Sequence, residues 1–313
     1  MLSRTADSLY WLSRYVERAD YLARVLDTAT RLSSLPAAYA GTGNEWESAL
    51  ITAGCLEAFE EVYDVPTAET VTEFLVSSNR NPSSIRRCLE IARFNARAVR
   101  TALTAEMWET INGAWLELQG FKTKSLLSTD LPRFLDWVKE VSLRVDGSGH
   151  RTMLRNDAYW FSRLGIYIER AESTARILDV KYHFLLPDQS PVGGGLDYTQ
   201  WTAILRAVSA ATSYHWVYRE SLKPWLVADL LILKEQMPRS LAACYGNIVA
   251  NLDRLAEAYG RKGPSQRLAR TIQTRLVNNR IENIFQAGLH EFVSDFIRDN
   301  AAVGDAIGKQ YLA

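Results

Sequence analysis

YVERADYLARVLD, residues 15–27, recurs without a gap as YIERAESTARILD, residues 167–179. Eight of the thirteen positions are identical, and three more hold conservative exchanges. In both copies the apolar residues recur three and four positions apart, which is the spacing of one face of an α-helix. The stretch therefore predicts two equivalent helices, each with one Glu-Arg dipeptide inside an apolar pattern.

The repeat extends well beyond these two helices. FLV at residues 74–76 and NPSSI at 81–85 match LLI at 230–232 and MPRSL at 237–241. The shift is 156 positions there (230 − 74) and 152 at the dipeptides (169 − 17). A period of this length is too long for a solenoid repeat. We therefore predict two pseudo-symmetric halves, residues 1–148 and 149–313, that form one compact unit with a shared core.

Helical periodicity dominates the chain, and almost no segment has the alternation of a β-strand. We predict an all-α fold, a helical bundle of about ten helices. Proline and glycine interrupt the pattern, and Gly147 with Gly149 is predicted to separate the two halves. The predicted helices are 4–33, 44–63, 67–77, 83–104, 105–119, 130–147, 150–186, 197–210, 222–234, 238–259 and 264–306.

Composition excludes several classes of function. Lys+Arg and Asp+Glu number 36 each, so the chain has no general electrostatic attraction to nucleic acid or to an acidic membrane. The most apolar run, residues 225–233, is far shorter than the roughly 20 residues that cross a bilayer. The charged residues of MLSRTADSLYWLSRYVERAD argue against a signal peptide. We expect a cytoplasmic protein without a membrane segment, and nucleic acid is not expected as a partner.

Residues that often carry catalysis or bind metals are scattered. Cys55, Cys88 and Cys244 have no CxxC spacing, which favours free buried thiols in a reducing compartment. None of the four histidines has a ligand partner three or four positions after it, so we expect no metal and no cofactor. GxSxG is absent, and Gly193 to Gly195 resemble a hinge more than a phosphate loop. The nine tryptophans are expected in the core.

The Glu-Arg dipeptides allow two hypotheses. Neighbours at i and i+1 on a helix do not face each other, so each side chain needs a partner elsewhere. In the structural hypothesis the two helices pack across a pseudo-twofold axis, where Glu17 meets Arg170 and Arg18 meets Glu169 as buried ion pairs. In the functional hypothesis the four side chains line a cleft. The arginines then bind a carboxylate or phosphate, and Glu17 or Glu169 is the catalytic acid or base.

Further charged residues follow each dipeptide on the same helical stripe. An arginine and an aspartate lie seven and ten positions after each glutamate. The binding site or polar core predicted on this basis comprises Arg18, Arg170, Arg24, Arg176, Asp27 and Asp179.

SSIRRCLEIARFNARAVR, residues 83–100, predicts a second charged surface. Either it is a solvated face that forms salt bridges with acidic neighbours such as Glu57, Glu60 and Glu61, or it binds an anion or a partner protein. Asparagine is a poor helix former, so Asn95 and its counterpart Asn251 are expected to bond across helices. The residues of this predicted anion or partner face are Arg86, Arg93, Arg97, Arg100 and Asn95.

Several long motifs together resemble one known family. They are MLSRTADSLYWLSRYVERADYLARVLD at 1–27, NPSSIRRCLEIARFNARAVR at 81–100, EMWETIN at 106–112, YIERAESTARILD at 167–179 and MPRSL at 237–241. The chain is similar over nearly its whole length to the bacterial alpha-E family, a predicted α-helical domain with a Glu-Arg motif. Phe94 departs from the family pattern, where an acid is expected. If that acid balances the arginine face, an acid from another helix must replace it.

The resemblance implies which proteins act in the same pathway, but it does not imply a reaction for this protein. Family members look like companions of a circularly permuted ATP-grasp ligase and a transglutaminase-like cysteine peptidase, which implies that amide or peptide bonds are made and cut. Three hypotheses follow: an accessory partner of the ligase and peptidase, an enzyme of the same pathway that uses the Glu-Arg cluster, and a self-assembling structural protein that forms homo-oligomers.

Overall fold

The computed structural model describes residues 1–34, 45–122, 126, 130–184 and 195–312, of which 180–184 and 195–197 are described as backbone alone. This part of the chain is about 80% helical, with fifteen α-helices and no strand. The predicted all-α class is confirmed, with more helices than the ten expected. The helices are α1 (Ser3–Ser33), α2 (Glu45–Ala53), α3 (Leu56–Glu60), α4 (Ala68–Val76), α5 (Ile85–Ala98), α6 (Ala105–Leu118), α7 (Leu131–Thr152), α8 (Asp157–Phe184), α9 (Gly195–Ala207), α10 (Ala211–Tyr218), α11 (Pro224–Ile232), α12 (Leu241–Tyr259), α13 (Pro264–Val277), α14 (Ile281–Ala287) and α15 (Leu289–Ile307).

Two segments that were predicted as single helices are divided. The segment 44–63 contains α2 and α3, because Gly54 between them has a left-handed backbone with φ +67°. The segment 264–306 contains α13, α14 and α15, and Gly288 before α15 has φ +100°. Glycine adopts these conformations without steric cost, and they end a helix.

One helix is longer than predicted. Gly147 and Gly149 do not end α7, which continues to Thr152. Gly149 lies against α6, since a Cβ there would be 3.4 Å from the sulfur of Met107. The boundary between 148 and 149 therefore falls inside a helix, and the chain leaves α7 at Met153 instead. The predicted hinge residues Gly193 and Gly194 lie outside the described residues.

The two repeat helices, α1 and α8, form the centre of the fold. They run side by side in the same direction, since residues in contact keep an offset of 149 to 155 positions. Their neighbours match: α1 contacts α5 and α7, with α6 between those two, and α8 contacts α12 and α15, with α13 between them. In addition, α2 and α9 each contact both central helices. The contacts thus repeat the duplication seen in the sequence.

The central helices approach each other most closely at Gly165. A Cβ at this position would lie 2.2 Å from the carbonyl oxygen of Tyr10 and 3.0 Å from the Cβ of Ser13. The Ser13 and Ser162 hydroxyls form a hydrogen bond of 2.8 Å beside this contact. Only glycine fits here, and the close approach brings the charged residues one turn further along within reach of each other.

The surface holds apolar residues that were expected inside. Trp201 is buried, whereas Trp216 is 79% exposed and Trp225 is 46% exposed. The expectation that the tryptophans are core residues is therefore wrong for these two. Within the described ranges, no helix combines the length and the apolar composition that a membrane span requires.

Candidate functional site: the Glu-Arg centre

The two Glu-Arg dipeptides meet between α1 and α8. Arg170 donates from Nε to Glu17 Oε1 over 2.8 Å and from Nη2 to Glu17 Oε2 over 2.9 Å. Arg18 donates from Nε to Glu169 Oε1 over 2.6 Å and from Nη2 to Glu169 Oε2 over 3.1 Å. Both pairs are bidentate, the strongest geometry of an arginine and a carboxylate. Each glutamate therefore bonds to the opposite half of the chain.

Each glutamate also binds a second arginine that the sequence analysis did not assign. Arg239, just before α12, donates to Glu17 Oε1 over 3.0 Å. Arg14 donates to Glu169 Oε2 over 2.7 Å. The repeat gives no signal for Arg239, because Ser83 occupies the equivalent position of the first half (239 − 156). Glu17 and Glu169 are 2% and 5% exposed, so the four contacts are almost free of solvent.

A further arginine on each central helix extends the centre toward α9 and α2. Arg24 binds Asp20 over 2.8 Å and donates to the hydroxyl of Ser209 over 2.9 Å. Arg176 binds Glu172 over 2.8 Å and lies against Gly54. Arg24 and Arg176 thus belong to the same polar centre as the dipeptides.

The two aspartates of the predicted stripe lie elsewhere. Asp27 contacts Arg31 on its own helix and Lys139 on α7, at 3.0 and 3.2 Å. Asp179 contacts Nδ1 of His290 on α15 at 2.6 Å. Each aspartate forms an ion pair between a central helix and an outer helix, and neither aspartate bonds to a Glu-Arg pair.

The electrostatics of the centre oppose proton transfer by its glutamates. Burial alone would raise the pKa of Glu17, but the charges of Arg170 and Arg239 outweigh it and lower the pKa to about 2. Burial likewise opposes ionisation of Glu169, and Arg14 and Arg18 lower its pKa. A general base is most effective with a pKa near the working pH. Both glutamates are therefore fixed negative charges at neutral pH.

This pKa predicts that the centre is sensitive to acid. Some carboxylates have a lower pKa in the folded state than in the unfolded state. Such a group stabilises the fold at pH values above its unfolded-state pKa, and this stabilisation is lost as the pH falls through its folded-state pKa. For Glu17 the stabilisation is therefore lost as the pH falls from 4.5 to about 2. We expect wild type to lose stability relative to Glu17→Met/Arg170→Met as the pH falls from about 4.5 toward about 2, measured by urea titrations. A constant difference across this range would contradict the ionised pair.

The cysteines near the centre are shielded. Cys88 and Cys244 are fully buried at equivalent positions of the two halves (244 − 156), and burial raises the pKa of each thiol to about 12. Cys55 is half-buried, and burial also raises its pKa to about 12. The reactive form of cysteine is the thiolate, so none of the three is placed to act as a nucleophile.

The thiols give a second prediction. We expect DTNB to react slowly with the native protein and quickly with all three thiols in urea, because folding suppresses the thiolate. The measurement is the absorbance of released thionitrobenzoate at neutral pH. A thiol that reacts within seconds in the native state would contradict the buried placement, and single Cys→Ser variants would identify it.

The arginine face of α5 is arranged differently from the prediction. Arg93 donates to Asn112 over 3.0 Å and lies over the ring of Trp115, and Arg100 lies over the ring of Trp108. In the described chain these arginines, with Arg86 and Arg97, form no salt bridge. The predicted salt bridges to Glu57, Glu60 and Glu61 are therefore wrong, and indole rings of α6 take the place of acids.

Two other predicted features near α5 and α12 differ as well. Phe94, at the position where an acid was expected, is 72% exposed. The amide of Asn251 donates to the carbonyl of Asn247 on its own helix, so it does not bond across helices as predicted. Among the described residues, no three His, Cys, Asp or Glu side chains are grouped so as to hold a metal ion.

Comparison with known proteins identifies the family. Residues 1–312 match the family model Alpha-E, which is described as a predicted alpha-helical domain with a conserved ER motif. The chain belongs to the Alpha-E family, and its Glu-Arg dipeptides at 17–18 and 169–170 form the centre described above. No curated protein and no solved structure shows significant similarity to it.

Proposed function

We propose that this protein is a non-catalytic helical partner of an ATP-grasp amidoligase and a transglutaminase-like peptidase, in a system that forms or processes amide or peptide bonds. The observation that supports the non-catalytic role is the state of Glu17 and Glu169. Each is buried, ionised and bound by two arginines, so neither can exchange a proton with a substrate. Membership of the Alpha-E family supports the context, since the ligase and the peptidase are the companions that the resemblance implies.

In this role the Glu-Arg centre holds the two halves in one register. A bidentate pair tolerates little displacement of its partners, so the pairs fix how α1 and α8 lie against each other. Buried ion pairs often contribute specificity more than stability. The surfaces that contact a partner protein would then be presented by a rigid unit.

Co-purification from the native host tests the proposal. Tagged wild type and the variant Glu17→Gln/Glu169→Gln are compared after circular dichroism has shown that both are folded, with Glu90→Gln as a surface control. We expect the ATP-grasp ligase to be recovered with all three proteins. Loss of the ligase from every sample, including wild type, would contradict the partnership.

The same experiment separates the enzymatic alternative. If a small molecule co-purifies with wild type and is absent from Glu17→Gln/Glu169→Gln, the glutamates bind a ligand and the non-catalytic role is wrong. The self-assembling alternative is tested by light scattering, where a mass well above the 35.4 kDa of one chain would favour it.

A further inference from the structure

A row of arginines lies over aromatic rings where α5 and α6 pack together. The guanidinium of Arg93 lies 5.8 Å from the ring centroid of Trp115, and that of Arg100, just after α5, lies 5.0 Å from the ring centroid of Trp108. Arg86 donates to a backbone carbonyl oxygen just after α6 over 3.4 Å. The three arginines are seven positions apart, which is about two turns, or about 10 Å, of helix.

The equivalent helix of the second half, α12, has no arginine at these positions. A constant shift of 156 aligns Cys88 with Cys244 and Asn95 with Asn251 along the two helices. With the same shift the three arginines correspond to small apolar residues, all of them buried: Ala242, Val249 and Ala256. The helical plan therefore closes at this place without charged side chains, and the row of arginines belongs to the first half alone.

The charges of this surface are not neutralised within the described chain. The arginine face comprises Arg86, Arg93, Arg97 and Arg100. Glu90, the acid of α5, forms its ion pair with Arg87. On α6, Glu117 binds an arginine of α7, and Glu106 and Glu109 are exposed and pair with none of the four arginines in the described ranges. The face therefore presents cations that are available to a partner.

A guanidinium that lies over an indole ring can still bind a carboxylate. Its N–H groups point outward in its own plane, so the ring contact occupies the face of the guanidinium and leaves its edges free. At Arg93 the Nε donates to Asn112 over 3.0 Å, and neither Nη group has an acceptor among the described residues. The indole thus holds the side chain in place without neutralising it, which reduces the entropy lost when a carboxylate binds.

Exposed apolar side chains flank the arginine face. Phe94 on α5 is 72% exposed, and Leu116 on α6 is 62% exposed. Phe94 follows Arg93 and lies about one turn before Arg97, and Leu116 follows Trp115. Arginine and aromatic residues are the types enriched at protein–protein interfaces. The surface therefore has the composition of a protein-binding site.

The spacing and the overall charge favour an acidic protein segment over nucleic acid. A helix with an acid at every seventh position presents carboxylates about 10 Å apart, which matches successive arginines of the row. A nucleic acid strand presents a phosphate about every 3.4 Å. The chain as a whole also has no excess positive charge that would attract a nucleic acid.

We propose that the arginine face binds an acidic helical segment of another protein. Carboxylates seven positions apart on that segment bind Arg86, Arg93 and Arg100. Arg97 binds a further acid, and Phe94 packs against an apolar side chain that lies between the acids. The inference does not rest on the proposed partnership with the ligase, because it concerns the isolated protein and a synthetic segment, so either proposal can fail without the other.

The probe is a fluorescein-labelled, alanine-rich peptide of about 21 residues in which every heptad has two glutamates and one leucine. Its comparisons are the same peptide with glutamine in place of glutamate, and a labelled oligo-dT of equal charge. Fluorescence anisotropy measures binding to wild type and to Arg97→Glu/Arg100→Glu. Arg254→Glu/Arg267→Glu is the matched control, since it reverses the same charge at exposed arginines of α12 and α13. Circular dichroism verifies the fold of each variant.

We expect wild type and the control variant to bind the acidic peptide with a Kd of about 100 μM or tighter, and the glutamine peptide to show no binding. Arg97→Glu/Arg100→Glu should weaken the acidic peptide at least about tenfold, and Phe94→Ala about threefold. If the double variant does not fold, Arg97→Glu alone decides, with an expected loss of about threefold.

Four results would overturn the proposal. They are unchanged binding in the folded variants, an equal loss in Arg254→Glu/Arg267→Glu, binding of the glutamine peptide or of oligo-dT as tight as that of the acidic peptide, and no binding of the acidic peptide up to about 1 mM.

Discussion

Glu17→Ala is expected to lower the free energy of unfolding by about 3–5 kcal/mol, because it leaves the buried Arg170 and the half-buried Arg239 without the Glu17 carboxylate. Arg170 loses both of its hydrogen bonds to Glu17, and Arg239 loses one and keeps Asp20 at 2.7 Å. Exposed ion pairs contribute far less, about 0–1 kcal/mol, so a large loss of stability indicates that the ion pairs of Glu17 are buried. Urea unfolding followed by circular dichroism measures it.

The control for this prediction is Glu90→Ala, which removes an exposed partner of Arg87 on α5. It should change stability by no more than about 0.5 kcal/mol. If Glu17→Ala is equally mild, the scaffold account of the centre is wrong, and a solvated cleft around Glu17 becomes the better description.

Gly165→Ala is expected to be the second most damaging change. The added Cβ would lie 2.2 Å from the carbonyl oxygen of Tyr10, a backbone atom that cannot move without shifting α1. Overpacking of this kind costs about 1–3 kcal/mol, and the two central helices must separate to relieve it. The separation would also lengthen the Glu-Arg contacts, so we expect a loss of about 3 kcal/mol or more.

Gly147→Ala is the matched control for the Gly165 change. Gly147 is also in a helix, and no atom lies within 4 Å of a Cβ added there. Alanine is the better helix former, so this variant should be as stable as wild type or up to about 1 kcal/mol more stable. Equal stability of Gly165→Ala and wild type would contradict the close approach of α1 and α8.

The sequence was sufficient to predict the centre of the fold. The repeated pentads indicated two equivalent helices, and the geometry of neighbouring helical residues required Glu17 and Arg18 to find partners on another helix. A pseudo-twofold arrangement gives each a partner in the opposite repeat, and the structure has these contacts with Arg170 and Glu169.

Other parts of the site could not be predicted in this way. Arg239 contacts Glu17 from the turn before α12. Arg14 contacts Glu169 from the face of α1 that also carries Arg18. Neither arginine is part of the repeated pattern. Single-sequence patterns show which residues are present, whereas these features arise from the packing of distant helices.

The effect of several glycines on the helix ends was predicted wrongly for a related reason. Gly147 and Gly149 interrupt the pattern of apolar residues, yet the helix continues because its packing against α6 outweighs the low helix propensity of glycine. At Gly54 the opposite holds, since the left-handed backbone there ends α2. The presence of a glycine alone does not show whether a helix continues through it or ends there.

A double-mutant cycle between Glu17 and Arg170 tests most directly whether the Glu-Arg centre is a buried scaffold between the halves. The unfolding free energies of wild type, Glu17→Met, Arg170→Met and the double variant give the coupling of the two side chains. We predict a coupling of about 2–3 kcal/mol, with the double variant more stable than either single variant because neither Glu17 nor Arg170 is left buried without the other. Additive effects, with a coupling below about 0.5 kcal/mol, would show that the two halves are not joined through this pair.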